Sequence, residues 1–89
     1  GQIIEVSPSK VPRVIGKSGS MIQMIKGYTN CRIFVGQNGR IWLDGEVDNI
    51  MHGIKAIQMI EQDAHSHGLT EKVKAYLEQV SGQTAPRTE

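Results

Sequence analysis

The residues with chemical potential cluster in one segment, Val14-Ile15-Gly16-Lys17-Ser18-Gly19-Ser20-Met21-Ile22-Gln23-Met24-Ile25. Two glycines bracket two polar residues, and a residue without a Cβ atom lets a ligand backbone approach the chain closely. Met21, Ile22 and Ile25 then recur at helical spacing, so the start of a helix faces the glycine-flanked turn. Its free N–H groups and partial positive charge favour an anion at that point. Lys17 adds a full, mobile charge, and Arg13 stands in the same basic stretch. This is chemistry suited to a phosphate backbone, with Gly16, Lys17, Ser18 and Gly19 as the phosphate-holding residues. Val14, Ile15, Ile22, Ile33 and Val35 are the candidates to border bases in a shallow groove. Arg32 and Arg40 either steer the same backbone or are simply solvated.

Other chemistries fail on spacing. Gly16-Lys17-Ser18 imitates the end of a nucleotide-binding P-loop, but the first glycine of that motif would fall on Val11, and Pro12 lies inside the would-be loop. His65 and His67 stand near Asp63, yet residues two apart on a helix do not face each other, so no metal site is expected. His52 reads as a surface residue. The single cysteine, Cys31, cannot close an internal disulfide, has no histidine at an interpretable spacing, and reads as a small core residue in a reducing compartment. Paired carboxylates, metal-ligand spacing and a nucleophile with its base are all missing, so the expectation is a non-catalytic domain without a cofactor. Trp42 is open to two readings, a base-stacking platform or a packing residue against the fold or a neighbouring domain.

These residues need a scaffold, and 89 residues allow one domain. The hydrophobic fraction of 38% and charged fraction of 21% suit a small globule. No stretch approaches the roughly 18 apolar residues of a membrane helix, and the first residues lack the pattern of a secretion signal. Formal net charge is +1, but residues 1–40 hold six basic groups against one acidic, and residues 41–89 hold four against eight. A polyanion-binding face in the basic half is the natural expectation.

Gln2 to Val6 reads as a short strand closed by Ser7-Pro8. Ser9 is placed to cap a helix of under two turns ending at Gly16, with Pro12 in its first turn. The next helix starts after Gly19, with Gly27 as its expected stop. From Cys31 the period changes to two, and Gly36-Gln37-Asn38-Gly39 interrupts it as a hairpin signal in which Asn-Gly favours a primed turn. The second strand, Arg40 to Asp44, closes at Gly45. A long helix from Glu46 to His67 should bury Val47, Ile50, Ile54, Ile57, Ile60 and Ala64 and end at Gly68; Gly53 inside it marks close packing against another element. A last helix, capped by Thr70, carries Val73, Tyr76, Leu77 and Val80 on one face. The order predicts an α+β fold, a three-stranded antiparallel sheet packed on one face by helices. The domain should span residues 1–80, with residues 81–89 a flexible polar tail.

The segment from Val14 to Ile25 resembles the Ile-Gly-x-x-Gly-x-x-Ile-x-x-Ile signature of type I KH domains, which implies a βααββα order with one extra C-terminal helix. In that family the Gly-x-x-Gly loop clamps about four backbone nucleotides of a single strand. The segments from Lys10 to Lys17, Val35 to Trp42 and Ile60 to Thr70 further resemble the KH domain of the archaeal exosome RNA-binding cap subunit, the ribosomal RNA processing protein four family. The resemblance covers residues 1–80. It implies a cytoplasmic module that recruits single-stranded RNA for 3′-to-5′ degradation by phosphorolytic ring subunits, within a trimeric cap and with no membrane contact. It also implies that Gly36, Gln37, Asn38 and Gly39 form a structural turn. The alternative function is protein–protein assembly, with an idle or occluded groove.

Overall fold

The computed structural model describes residues 1–63 and 68–81. Ala64, His65 and His67, together with residues 82–89 of the expected tail, lie outside the described residues, while Ser81, expected to open that tail, is still helical. The chain runs β1 (Gln2–Glu5), α1 (Val11–Ile15), α2 (Ser20–Thr29), β2 (Arg32–Val35), β3 (Arg40–Asp44), α3 (Val47–Gln62) and α4 (Leu69–Ser81), with short 3-10 turns at Pro8–Lys10 and Lys17–Gly19. The strands form one antiparallel sheet in the order β1-β3-β2. The fold is thus the expected α+β layer, with its helices on one face of the sheet.

The period-two pattern decides which face is covered. Ile33, Ile41 and Leu43 point toward the helices and are almost completely buried, while Arg32, Phe34, Arg40 and Trp42 share the opposite face. The core continues into the helices through Val14, Ile25, Ile57, Ile60, Val73 and Leu77, none of which reaches solvent. Gly53 is the point of closest approach between layers: a Cβ atom there would lie 2.9 Å from a methyl group of Leu43 on β3. Helix α4 packs on both α2 and α3, and the Tyr28 hydroxyl donates to the Glu78 carboxylate at 3.1 Å, tying α2 to α4.

Several local expectations are corrected. Ser9 caps nothing, because the chain is already wound into the turn at Pro8–Lys10, closed by the Lys10 N–H on the Ser7 carbonyl at 2.8 Å. Helix α2 runs through Gly27 to Thr29 and stops at Asn30, which takes the left-handed conformation at φ 54°. Burial of Tyr28 and Thr29, the latter donating to the Ile25 carbonyl at 2.7 Å, carries the helix past the glycine. Val47 is 75% exposed rather than buried, since it lies at the very start of α3 beside an open hollow lined by Gly1, Gln2, Gly45, Ile50 and Met51. Helix α3 ends at Gln62 with Asp63 as its cap, so Gly68 does not terminate it. Instead the Gly68 carbonyl accepts the Lys72 N–H at 3.0 Å, one turn into α4, which leaves Thr70 inside that helix rather than capping it. His52 is partly exposed.

Candidate nucleic-acid interface

The joint between α1 and α2 is built from backbone conformations that side chains resist. Gly16 ends α1 at φ 78° and ψ 176°, and Gly19 precedes α2 at φ 79°. Between them Ser18 is held at φ 55°, a left-handed value that is uncommon for a residue with a side chain. A Cβ atom on Gly16 would lie 2.6 Å from both the amide nitrogen and the Cβ of Met21, so the corner closes only around a glycine. Nothing stands within 4 Å of the corresponding point on Gly19, where the backbone angle rather than space selects the residue. No side chain caps the start of α2.

Lys17 and Ser18 project from this corner and are exposed, as is Arg13 on α1. Pro12, Arg13, Gly16, Lys17, Ser20 and Met21 form one wall of a hollow of about 440 Å³. Its other wall is Gly68, Leu69, Thr70 and Glu71, the first turn of α4. Sequence reasoning missed this second wall because some fifty residues separate it from the glycine pair, and nothing local to either segment signals the encounter. It brings a carboxylate, Glu71, opposite the two cations.

The remaining candidates divide. Ile15 and Val35 are partly exposed. Val14, Ile22 and Ile33 are 0%, 8% and 3% exposed and belong to the core under the site, not to its surface. Arg32 and Arg40 are exposed, but on the sheet face turned away from the helices, where they stand opposite Asp44 and Glu5 in the strand register. They are therefore not gathered with the glycine corner. Trp42 lies at the centre of that same open face, half-buried, with its ring centroid 5.3 Å from that of Phe34.

Gly36 to Gly39 forms the β2–β3 turn. The Gly39 N–H donates to the Gly36 carbonyl at 3.0 Å, and the Asn38 side-chain oxygen accepts the Arg40 N–H at 3.1 Å. Asn38 does not take a positive φ and Gly39 does, at 89°, so the primed turn expected from Asn-Gly is replaced by a turn centred on Gln37 and Asn38 with a left-handed glycine after it. Gly39 also presses on β1: its carbonyl accepts the Val6 N–H at 2.8 Å, and a Cβ atom there would overlap the Val6 carbonyl oxygen. Burial pushes the Cys31 thiol above its usual range, against the opposing effect of its hydrogen bond to the Thr29 carbonyl at 3.6 Å, and the Asp44 charge adds to the rise. Among the described residues no group of three or more His, Cys, Asp or Glu side chains is placed to hold a metal ion. None of the described helices is long and apolar enough to cross a membrane.

Comparison with known proteins agrees with this geometry. The chain is 55% identical over 89 residues to the exosome complex component Rrp4 of Picrophilus torridus, and 57% identical over 77 residues to that of Methanosarcina barkeri. These alignments take in 100% and 86% of the chain but only 39% and 30% of the relatives, so it spans well under half their length. A solved structure described as an exosome complex RNA-binding protein superposes with a TM-score of 0.84 at 41% identity, over 90% of this chain and 46% of the other. Residues 1–49, more than half of the sequence and including the glycine corner, match the KH domain family. By that match and by its architecture, the chain belongs to the KH domain family.

Proposed function

We propose that this chain is a non-catalytic module that binds single-stranded RNA, clamping its sugar–phosphate backbone at Gly16, Lys17, Ser18 and Gly19. One observation carries the reading. Two glycines with φ near 80° and an exposed Lys17-Ser18 pair sit at the uncapped start of α2, where an anion gains both amide hydrogen bonds and the helix dipole. Arg13 adds charge along the path, and Ile15 and Val35 offer apolar surface for bases. In the full-length protein the module would belong to an exosome cap, three copies on a ring of phosphorolytic subunits, delivering cytoplasmic RNA for 3′-to-5′ degradation. The names of the relatives support membership of an exosome complex. A single four-nucleotide clamp binds weakly, so linking several such sites in one particle would supply the affinity.

A second role, in assembly with other subunits, is favoured by the exposed apolar residues Val47 and Met51, 75% and 58% exposed beside Gly1. A titration with short unstructured RNA separates the two. Saturable binding is expected, and the double substitution Lys17→Asp and Ser18→Asp should weaken it by more than about tenfold, because two carboxylates then repel phosphate at the helix start. Equal binding by a folded double variant would remove the clamp from the account, and no binding by the parent chain would leave the assembly role.

A further inference from the structure

We propose that Asn38, in the turn between β2 and β3, is a site of spontaneous deamidation that the folded hairpin holds closed, so that conversion proceeds when the turn opens away from Val6. Asn38-Gly39 supplies the two groups that ring closure needs, a side-chain amide and, after it, a main-chain nitrogen whose own residue has no Cβ atom to obstruct its approach. Asn30 and Asn49 are followed by Cys31 and Ile50, whose side chains hinder the same attack. In the reaction the Gly39 nitrogen gives up its proton to a base and bonds to the Asn38 side-chain carbonyl carbon. The bond from that carbon to Nδ2 breaks, ammonia leaves with a proton, and a five-membered succinimide remains. Water then opens either ring carbonyl, giving aspartate or its isomer isoaspartate, in which the main chain runs through the former side-chain carbon.

Asn38 is exposed, so exclusion of water does not protect it. Its hydrogen bonds do. The Gly39 N–H that must be surrendered donates to the Gly36 carbonyl at 3.0 Å, and the Asn38 Oδ1 accepts the Arg40 N–H at 3.1 Å. The side-chain amide is folded back over the turn, since a Cβ atom on Gly36 would lie 2.8 Å from that same oxygen. Once the ring closes, the Gly39 nitrogen carries no hydrogen and its bond to Gly36 is lost outright. Gly39 is not free to swing toward the amide, because it is buried and its carbonyl accepts the Val6 N–H at 2.8 Å. Attack therefore requires the turn to detach from Val6, and its rate follows the population of that open state. The two products then differ. Aspartate keeps an oxygen for the Arg40 N–H and fits the turn as it stands. Isoaspartate lengthens the main chain by one carbon beside Gly39, where a Cβ atom would already overlap the Val6 carbonyl oxygen, and so releases Val6 and with it β1.

This inference does not rest on RNA binding, and peptide mapping by mass spectrometry, with chromatographic separation of the aspartyl and isoaspartyl forms, tests it. The 89-residue chain is incubated at one mildly alkaline pH and one temperature, in buffer and in denaturing guanidinium chloride. In denaturant Asn38 is expected to convert ahead of Asn30 and Asn49. In the folded chain the same conversion should be slower by more than about tenfold, the protection that a closed turn confers. Val6→Pro, which removes the N–H held by the Gly39 carbonyl, should speed conversion in buffer and leave the rate in denaturant unchanged, with circular dichroism verifying that the variant is folded. If that variant does not fold, the comparison of the parent chain in buffer and in denaturant decides alone. Asn38→Asp should unfold at the temperature of the parent, as the aspartyl product fits the turn. Equal rates in buffer and denaturant, or no conversion of Asn38 in denaturant, would overturn the proposal. So would a folded Val6→Pro variant that deamidates no faster than the parent.

Discussion

Gly39 shows how far one hydrogen atom can decide a structure. Its φ of 89° and the carbonyl of Val6 leave no place for a methyl group, and the hairpin it closes sets the register of β2 on β3. Gly39→Ala should lower the unfolding free energy by about 2–4 kcal/mol, read by urea denaturation, from backbone strain together with displacement of β1. An unchanged denaturation midpoint would refute this account of the turn. The same scale shows what was readable from residues alone. Gly16 to Gly19 was legible because four consecutive residues encode the corner through their own backbone angles. The burial of Val14, Ile22 and Ile33 was not, since it depends on which elements close over them. Arg32 and Arg40 were read with the corner because they share its charge; strand alternation, equally visible in the sequence, puts them on the other face.

At the scale of elements, the sequence announced every strand and helix, and erred chiefly at their ends. Ser9, Gly27 and Thr70 have the residue types of caps, but each local preference is worth only about 1 kcal/mol, and packing of Tyr28 and Thr29 outweighs it where α2 continues past Gly27. The appended helix α4 is secured to α2 partly through Tyr28. Burial first, and then the hydrogen bond and charge of Glu78, push the Tyr28 hydroxyl above its usual range. The folded state therefore keeps this proton at a pH where the unfolded chain, with a tyrosine pKa of about 10, has begun to lose it. Stability contributed by this group is fully present below pH about 10 and declines as pH rises from there through the folded value. Urea unfolding at pH 9 and pH 11 should show a smaller alkaline loss in Tyr28→Phe than in the parent chain. Equal losses would mean that Tyr28 does not couple the attachment of α4 to pH.

For the molecule as a whole, the division of charge along the chain is not kept on the surface. Arg13 and Lys17 gather at the α1–α2 corner with Glu71 across the hollow, while Arg32 and Arg40 stand on the open sheet face opposite Asp44 and Glu5. The first turn of α4 places Glu71 across the hollow from Lys17, which limits how much negative charge that side accepts. The central claim is that RNA meets this molecule at the glycine corner. Backbone amide shifts recorded by NMR during titration with a four-nucleotide single-stranded RNA test it most directly. The largest perturbations should fall on Gly16 to Ser20, with smaller ones at Ile15 and Val35. Saturable shifts confined to the start of α3 or to α4, with Gly16 to Gly19 unmoved, would contradict it.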